Sequence, residues 1–248
     1  MTSKYFAVSA LCALLFAGPA ASQAAIFTHS SGNLAASAEF TNPQAGVLQL
    51  TLTNTSTADV LVPTDVLTAV FFDIPGDPEL TPLSAVLGTG SVVWFDDQPA
   101  GGVVGGEWAY LNALSDAPNG ATQGISSTGA DDMFGPHDLF PGDDLEPPLS
   151  PNGLSYGITS AGDNPHTGNL PVTGRDALIF NSVVFQLEGL PADFSLDQID
   201  NVYFLYGTSL PGPDPQPPVP EPASLAIWTL IGMAAGLWGY RRHRKAVA

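Results

Sequence analysis

Basic residues are scarce in this chain of 248 residues: six Lys and Arg stand against 24 Asp and Glu, for a formal charge of −18. Nucleic acid is excluded as a partner, because a phosphate binder needs clustered Lys and Arg. There is one cysteine, Cys12. An internal disulfide framework and a Cys-based zinc site are therefore excluded as well. Sustained helical periodicity is missing between residues 26 and 210, which argues against a helical bundle. His29, His137 and His166 are scattered, and no His-x-x-x-His pair marks a hydrolytic metal site. The nucleophile elbow Gly-x-Ser-x-Gly is absent too. Gly124-Ile125-Ser126-Ser127-Thr128-Gly129 has one residue too many and reads as a turn-rich loop. Gly101-Gly102-Val103-Val104-Gly105-Gly106 lacks the lysine of a phosphate cradle and reads as a hairpin or flexible loop.

What the chain does have is an uneven distribution of charge. The bases are Lys4, Arg175, Arg241, Arg242, Arg244 and Lys245. Between residues 26 and 219 only Arg175 opposes 23 of the acids, a net of 22 negative charges. The positive charge sits at the two ends, beside the two longest apolar runs. This is a pattern of membrane topology.

Residues 1–24 read as a secretory signal peptide. Lys4 is the positive start, Tyr5 to Gly18 the apolar run and Pro19 to Ala25 the small-residue tail. Ser22 and Ala24 suit cleavage after Ala24. Ser9-Ala10-Leu11 ahead of Cys12 lacks the small residue of a lipoprotein site, so no lipid anchor is expected. At the other end, residues 211–222 hold seven prolines in twelve residues, an extended linker. Residues 223–240 are uncharged and mostly apolar. As a helix they would run about 27 Å, enough for the hydrocarbon core. Trp228, Trp238 and Tyr240 suit the membrane interface, and the Gly residues are tolerated. Residues 241–248 form a basic tail, which the positive-inside rule keeps in the cytoplasm. The acidic domain, residues 25–210, is then extracytoplasmic.

Val219-Pro220-Glu221-Pro222-Ala223-Ser224, the apolar run and Arg241-Arg242-His243-Arg244-Lys245 together resemble the PEP-CTERM sorting signal. The resemblance covers the last residues only, but its three parts come in order at the extreme C-terminus. It implies handling by an exosortase, a membrane cysteine protease of Gram-negative bacteria that make exopolysaccharide. It also implies cleavage near Pro220 to Pro222 and delivery to the cell surface or extracellular matrix of a biofilm. The sorting residues would be Val219, Pro220, Glu221 and Pro222, with Arg241, Arg242, Arg244 and Lys245 as the basic tail. More loosely, Leu50 to Ser56, Asp65 to Phe72, Gly153 to Ile158 and Phe204 to Thr208 resemble segments of exosortase-dependent surface proteins. That likeness implies a location and no activity.

The middle of the chain reads as all-β. Leu48 to Asn54 alternates with period two, as a half-buried strand should. Val66 to Ile74, Ser91 to Phe95, Glu107 to Leu111, Ala177 to Leu187 and Gln198 to Tyr206 are further strand candidates. Turn signals recur about every 8–15 residues, which predicts an antiparallel β-sandwich-like ectodomain. Residues 112–175 are rich in Gly, Asp, Pro and Ser and read as a long loop-rich insertion.

The chemistry on offer is sparse. Acidic clusters at Asp73, Asp77 and Glu79, at Asp96-Asp97, at Asp131-Asp132 and at Asp143-Asp144 with Glu146 could meet a hard cation, which takes six to eight oxygens. None has the Asp-x-Asp-x-Asp-Gly spacing of a calcium loop. If calcium binds, Asp131, Asp132, Asp143 and Asp144 are the preferred ligands; no other cofactor is expected. Arg175 is expected to pair with Asp176 or a distant carboxylate. Trp94, Trp108 and Tyr110 could stack on sugar rings, although strand aromatics are more often core. The expectation is a non-enzymatic secreted protein. Its partners would be an exosortase, the membrane before processing and an exopolysaccharide. A carbohydrate- or calcium-dependent adhesion module is the alternative, and an extracellular hydrolase built on two carboxylates stands behind both.

Overall fold

A computed structural model describes residues 24–135, 137–142, 153–210 and 219–220. Residues 1–23 of the expected signal peptide, Asp143, Asp144, Glu146, Glu221, Pro222, the apolar run 223–240 and the basic tail lie outside the described residues. In chain order the strands are β1 (Ala24–Ser31), β2 (Leu34–Gln44), β3 (Val47–Asn54), β4 (Leu67–Asp73), β5 (Thr81–Leu87), β6 (Val92–Trp94) and β7 (Ala109–Leu111). They continue as β8 (Gln123–Ser126), β9 (Gly157–Thr159), β10 (Leu178–Phe180), β11 (Ser182–Glu188), β12 (Asp200–Tyr206) and β13 (Val219–Pro220). The first sheet runs β13-β1-β2-β3-β11-β5. The second runs β6-β10-β9-β4-β8-β7, with β12 pairing β4 along its other side.

The first sheet follows from alternation. Leu48, Leu50 and Leu52 of β3 are fully buried, as are Ala36, Ala38 and Phe40 of β2 and Val183, Phe185 and Leu187 of β11. Their neighbours in sequence point the other way, so one face of this sheet is apolar. That face meets the second sheet in a shared core. Phe40 of β2 packs edge-on against Phe72 of β4 with centroids 5.3 Å apart. Phe185 of β11 meets Trp108 at 5.0 Å and Phe140 at 5.2 Å. The all-β, sandwich-like expectation therefore stands.

β4 differs from the strands around it, because both its faces are covered. Val70 and Phe72 enter the shared core, while Ala69 and Phe71 enter a second cluster with Ala130, Phe134 and Leu205. A strand buried on both sides loses its alternation, which is why Val66 to Ile74 reads as one apolar run. Its polar members are satisfied: the Thr68 hydroxyl donates to the Gly207 carbonyl.

Three expectations are corrected. The second sheet is mixed rather than purely antiparallel, because β9 and β10 run parallel, while the first sheet is antiparallel throughout. The run Ala177 to Leu187 is two strands, not one. Asn181 has φ of 81°, a left-handed conformation that Asn tolerates, and there the chain leaves the second sheet and enters the first. Finally, residues 112–175 supply β8 and β9 to the second sheet, so the loop-rich insertion is partly sheet. Ser126 lies in a buried strand and the segment Gly124 to Gly129 is no exposed loop: the Ser126 hydroxyl donates to the Thr128 carbonyl at 2.7 Å. The glycine-rich stretch 101–106 is two 3-10 turns. Gly105 is buried there, and a Cβ at that position would run into the Pro141 carbonyl.

Candidate functional site

The proposed sorting motif is described only at Val219 and Pro220. These two residues form β13 and pair antiparallel with the outermost long strand of the first sheet, Thr28 opposite Val219 and Phe27 opposite Pro220. Pro cannot donate to a ladder, so it belongs on an edge. The strand that it covers, β1, is a candidate pairing edge of the kind that proteins must manage.

The calcium ligands divide. Asp131 and Asp132 occupy a tight turn in which Ala130, Asp131 and Asp132 all have positive φ, at 45°, 57° and 68°. The turn is pinned from below by Phe134, whose ring lies 6.0 Å from that of Phe71. Asp131 already has work there: its Oδ2 accepts the Leu210 backbone N–H at 2.7 Å. Among the described residues no group of three or more His, Cys, Asp or Glu is arranged to hold a metal ion. Asp73, from another acidic cluster, is likewise engaged: Oδ1 accepts the Thr122 N–H at 2.7 Å and Oδ2 accepts the Asn201 amide at 2.9 Å.

Two of the three suggested sugar-stacking aromatics are core. Trp108 is wholly buried, and Tyr110, nearly so, donates its hydroxyl to Gln123 Oε1 at 3.1 Å. Burial pushes the Tyr110 phenol well above its ordinary range. Trp94 alone is half-exposed. It lies on β6 against Phe180 of β10, with ring centroids 5.1 Å apart at 35°. Arg175 is exposed, and its charge acts on the adjacent Asp176, pulling that carboxyl down against a larger upward push from burial.

The structure also builds a site that sequence reasoning missed. Asp59 and Asp163, distant in sequence, come together where two loops meet. Asp163 Oδ1 accepts the Val60 N–H at 3.0 Å, and Asp59 Oδ1 accepts the Asn164 N–H at 2.9 Å. Thr167 donates its hydroxyl to Asp59 Oδ2. Hydrogen bonds from Thr167 and Asn164 pull the Asp59 carboxyl below its ordinary value, while burial first, then the neighbouring Asp59, pushes Asp163 up to about 6. Gly162 is needed beside it, since a Cβ there would meet the Thr57 carbonyl. The arrangement is a cross-link between loops, in which each carboxylate accepts backbone N–H groups. Asp-Asn and Asn-Pro dipeptides around 163–165 hint at a turn in sequence, but nothing local points to residue 59.

Among the described residues no helix is long and apolar enough to cross a membrane. No family model matches the chain, and no curated protein or solved structure matches it.

Proposed function

We propose that this chain is a non-enzymatic protein displayed at the cell surface or in the exopolysaccharide matrix, sent there by a signal peptide and by an exosortase acting on its C-terminal signal. The observation that carries the reading is the tail itself. Val219-Pro220-Glu221-Pro222, an 18-residue uncharged stretch from Ala223 to Tyr240 and the basic cluster 241–245 follow one another without interruption. An acidic, lysine-free body between residues 26 and 219 suits export, and the basic cluster suits retention on the cytoplasmic side. Two carboxylates working on a glycosidic bond stand roughly 5 Å or more apart. Asp59 and Asp163 instead share a hydrogen-bonded contact and hold backbone N–H groups, which supports a structural use of the paired acids and a non-catalytic body.

The test is deletion of residues 219–248 followed by cell fractionation. The truncated chain is expected to stay in the periplasm or medium and to fail to reach the surface, and mass spectrometry of the surface form is expected to end near Pro220 to Pro222. Normal surface delivery of the truncated chain would overturn the reading. An adhesion role for the body is a second reading, and the surface placement of Trp94 favours a saccharide over calcium as its ligand.

A further inference from the structure

The first strand and the start of the sorting motif meet on one edge of the first sheet. The described residues that cover the outer side of β1 are Val219 and Pro220. The register of the β1–β2 hairpin shows which backbone groups β1 has left to offer. Ser31 pairs with Leu34 across a two-residue turn, Gly32 with φ of 60° followed by Asn33. Two turn residues cannot pair with each other, so Ser31 and Leu34 are a hydrogen-bonded pair. Such pairs alternate along an antiparallel ladder, and this ladder runs without a register shift to Ala24 opposite Thr41. Ser31, His29, Phe27 and Ala25 therefore direct their N–H and C=O groups to β2. Ser30, Thr28, Ile26 and Ala24 direct theirs to the open side. Val219 stands opposite Thr28, where an N–H and a C=O point outward to receive it. Pro220 stands opposite Phe27, whose groups already serve β2. The amide hydrogen that proline lacks is not needed there. The motif thus fits this edge in register.

The chain is also held just upstream. The Leu210 N–H donates to Asp131 Oδ2 at 2.7 Å, so Leu210 and Val219 are each tied to the body. β13 is antiparallel to β1, and at Pro220 the chain heads toward the Ala24 end of β1. The two expected cuts, after Ala24 and near Pro220 to Pro222, then belong to the same end of one strand pair. Ala223, where the apolar stretch begins, follows Pro220 by three residues. Three residues span at most about 11 Å of chain. With β13 in place, the folded body stands within that distance of the apolar stretch. With β13 detached, the nearest hold is Leu210, thirteen residues before Ala223, and the reach grows to at most about 47 Å.

An extended peptide is recognised through its main-chain hydrogen bonds. Val219 cannot give the same N–H and C=O to β1 and to a protease cleft, and a body this close to the cut leaves little room for one. We infer that the outer edge of β1 is a latch for the chain's own sorting motif: pairing of Val219 with Thr28 withholds the bond near Pro220 to Pro222 from the exosortase, and cleavage follows detachment of β13. A pairing two residues long is marginal, and such elements open at the low end of a protein's range of local stabilities. The latch therefore slows cleavage without forbidding it, and it sets how long the body stays anchored. The inference rests on the display reading for the protease and the cut.

The experiment is pulse-chase labelling of the full chain in an exosortase-bearing host, with cleavage near Pro220 to Pro222 followed by mass spectrometry. Thr28→Pro is the test variant. It removes the outward N–H opposite Val219 and spares the β1–β2 ladder, which that N–H does not serve. Ser30→Pro is the control. Its N–H is outward too, so the demand on the fold is the same in kind, but no described residue pairs with Ser30 on that side. Thr28→Pro is expected to shorten the half-time of cleavage roughly five-fold, because the rate follows the detached fraction. Ser30→Pro is expected to leave it unchanged. In the purified full chain in detergent, exchange of the Val219 amide hydrogen is expected to be slowed in the wild type and in Ser30→Pro, and fast in Thr28→Pro. Equal half-times for the wild type and Thr28→Pro overturn the latch. Equal acceleration by both variants does so as well, since it puts the effect down to the fold. An unprotected Val219 amide in the wild type overturns it too. Absence of a cut near Pro220 to Pro222 in all three chains would instead overturn the display reading, and the latch with it.

Discussion

A single carboxyl sets an expected pH dependence. Asp163 is pushed up to about 6 from an ordinary 3.8, chiefly by burial. For a group raised in the folded state, the stabilising contribution is full below its ordinary value and is lost as pH climbs through the folded one. Between about pH 4 and 6 the folded chain is therefore losing stability at this position. Asp59 is lowered by its hydrogen bonds from Thr167 and Asn164, so its contribution holds above 3.8 and is lost only below it. The two windows do not overlap. Asp163→Asn keeps an oxygen for the Val60 N–H and removes the ionisation. At pH 7 it is expected to stabilise by about 1 kcal/mol, after allowance for solvent screening of a half-exposed group. At pH 4 it should do almost nothing. Thermal melts at both values check this, and equal effects at the two would remove the account. The partnership itself was not legible in the sequence, because 104 positions separate residues 59 and 163 and no local pattern links them.

At the scale of elements, the corner at Asn181 ties the two sheets together. Its N–H donates to the Thr159 carbonyl at 3.1 Å, and its carbonyl accepts the Asn54 N–H at 3.0 Å. The Asn54 side chain in turn donates to the Ile158 carbonyl at 3.1 Å. With φ of 81° the position accepts Gly or Asn and resists a β-branched residue. Asn181→Val is expected to cost about 1–3 kcal/mol, and Asn181→Gly much less, as urea denaturation would measure. Equal costs would mean that the left-handed corner is not what Asn181 supplies. Alternation carried β3 from sequence, since it buries one face, while β12 was legible from its Val, Phe and Tyr content and is covered on both faces, Val202 and Phe204 in the shared core and Leu205 in the second cluster. Val66 to Ile74 and Ser91 to Phe95 were legible as apolar runs. β1 and β2 were not, because Ala, Ser and Thr fill so many of their positions. β8 and β9 escaped because their strands, Gln123–Ser126 and Gly157–Thr159, are too short to show a period. Partners already in place in the second sheet make them strands.

For the whole molecule, charge governs solution behaviour. The isoelectric point is about 4.1, and removal of the basic tail would lower it. Mutual repulsion should keep the body dispersed at pH 7, and this protection fades as the carboxylates protonate. Light scattering is expected to show monodisperse protein at pH 7 and aggregation near pH 4, the opposite direction to the stability gained there at Asp163. Dispersed protein at pH 4 would mean that charge is not what keeps the chains apart.

The sequence by itself determined the all-β class, the strands with one buried face and the acidic body. These are local properties: periodicity, composition and the order of short segments are complete within a few neighbouring residues. Only the tertiary structure decided that Trp108 and Tyr110 are core while Trp94 is half-exposed, and that Asp59 meets Asp163. Burial and pairing depend on which distant strands and loops pack together, and no window along the chain contains both partners.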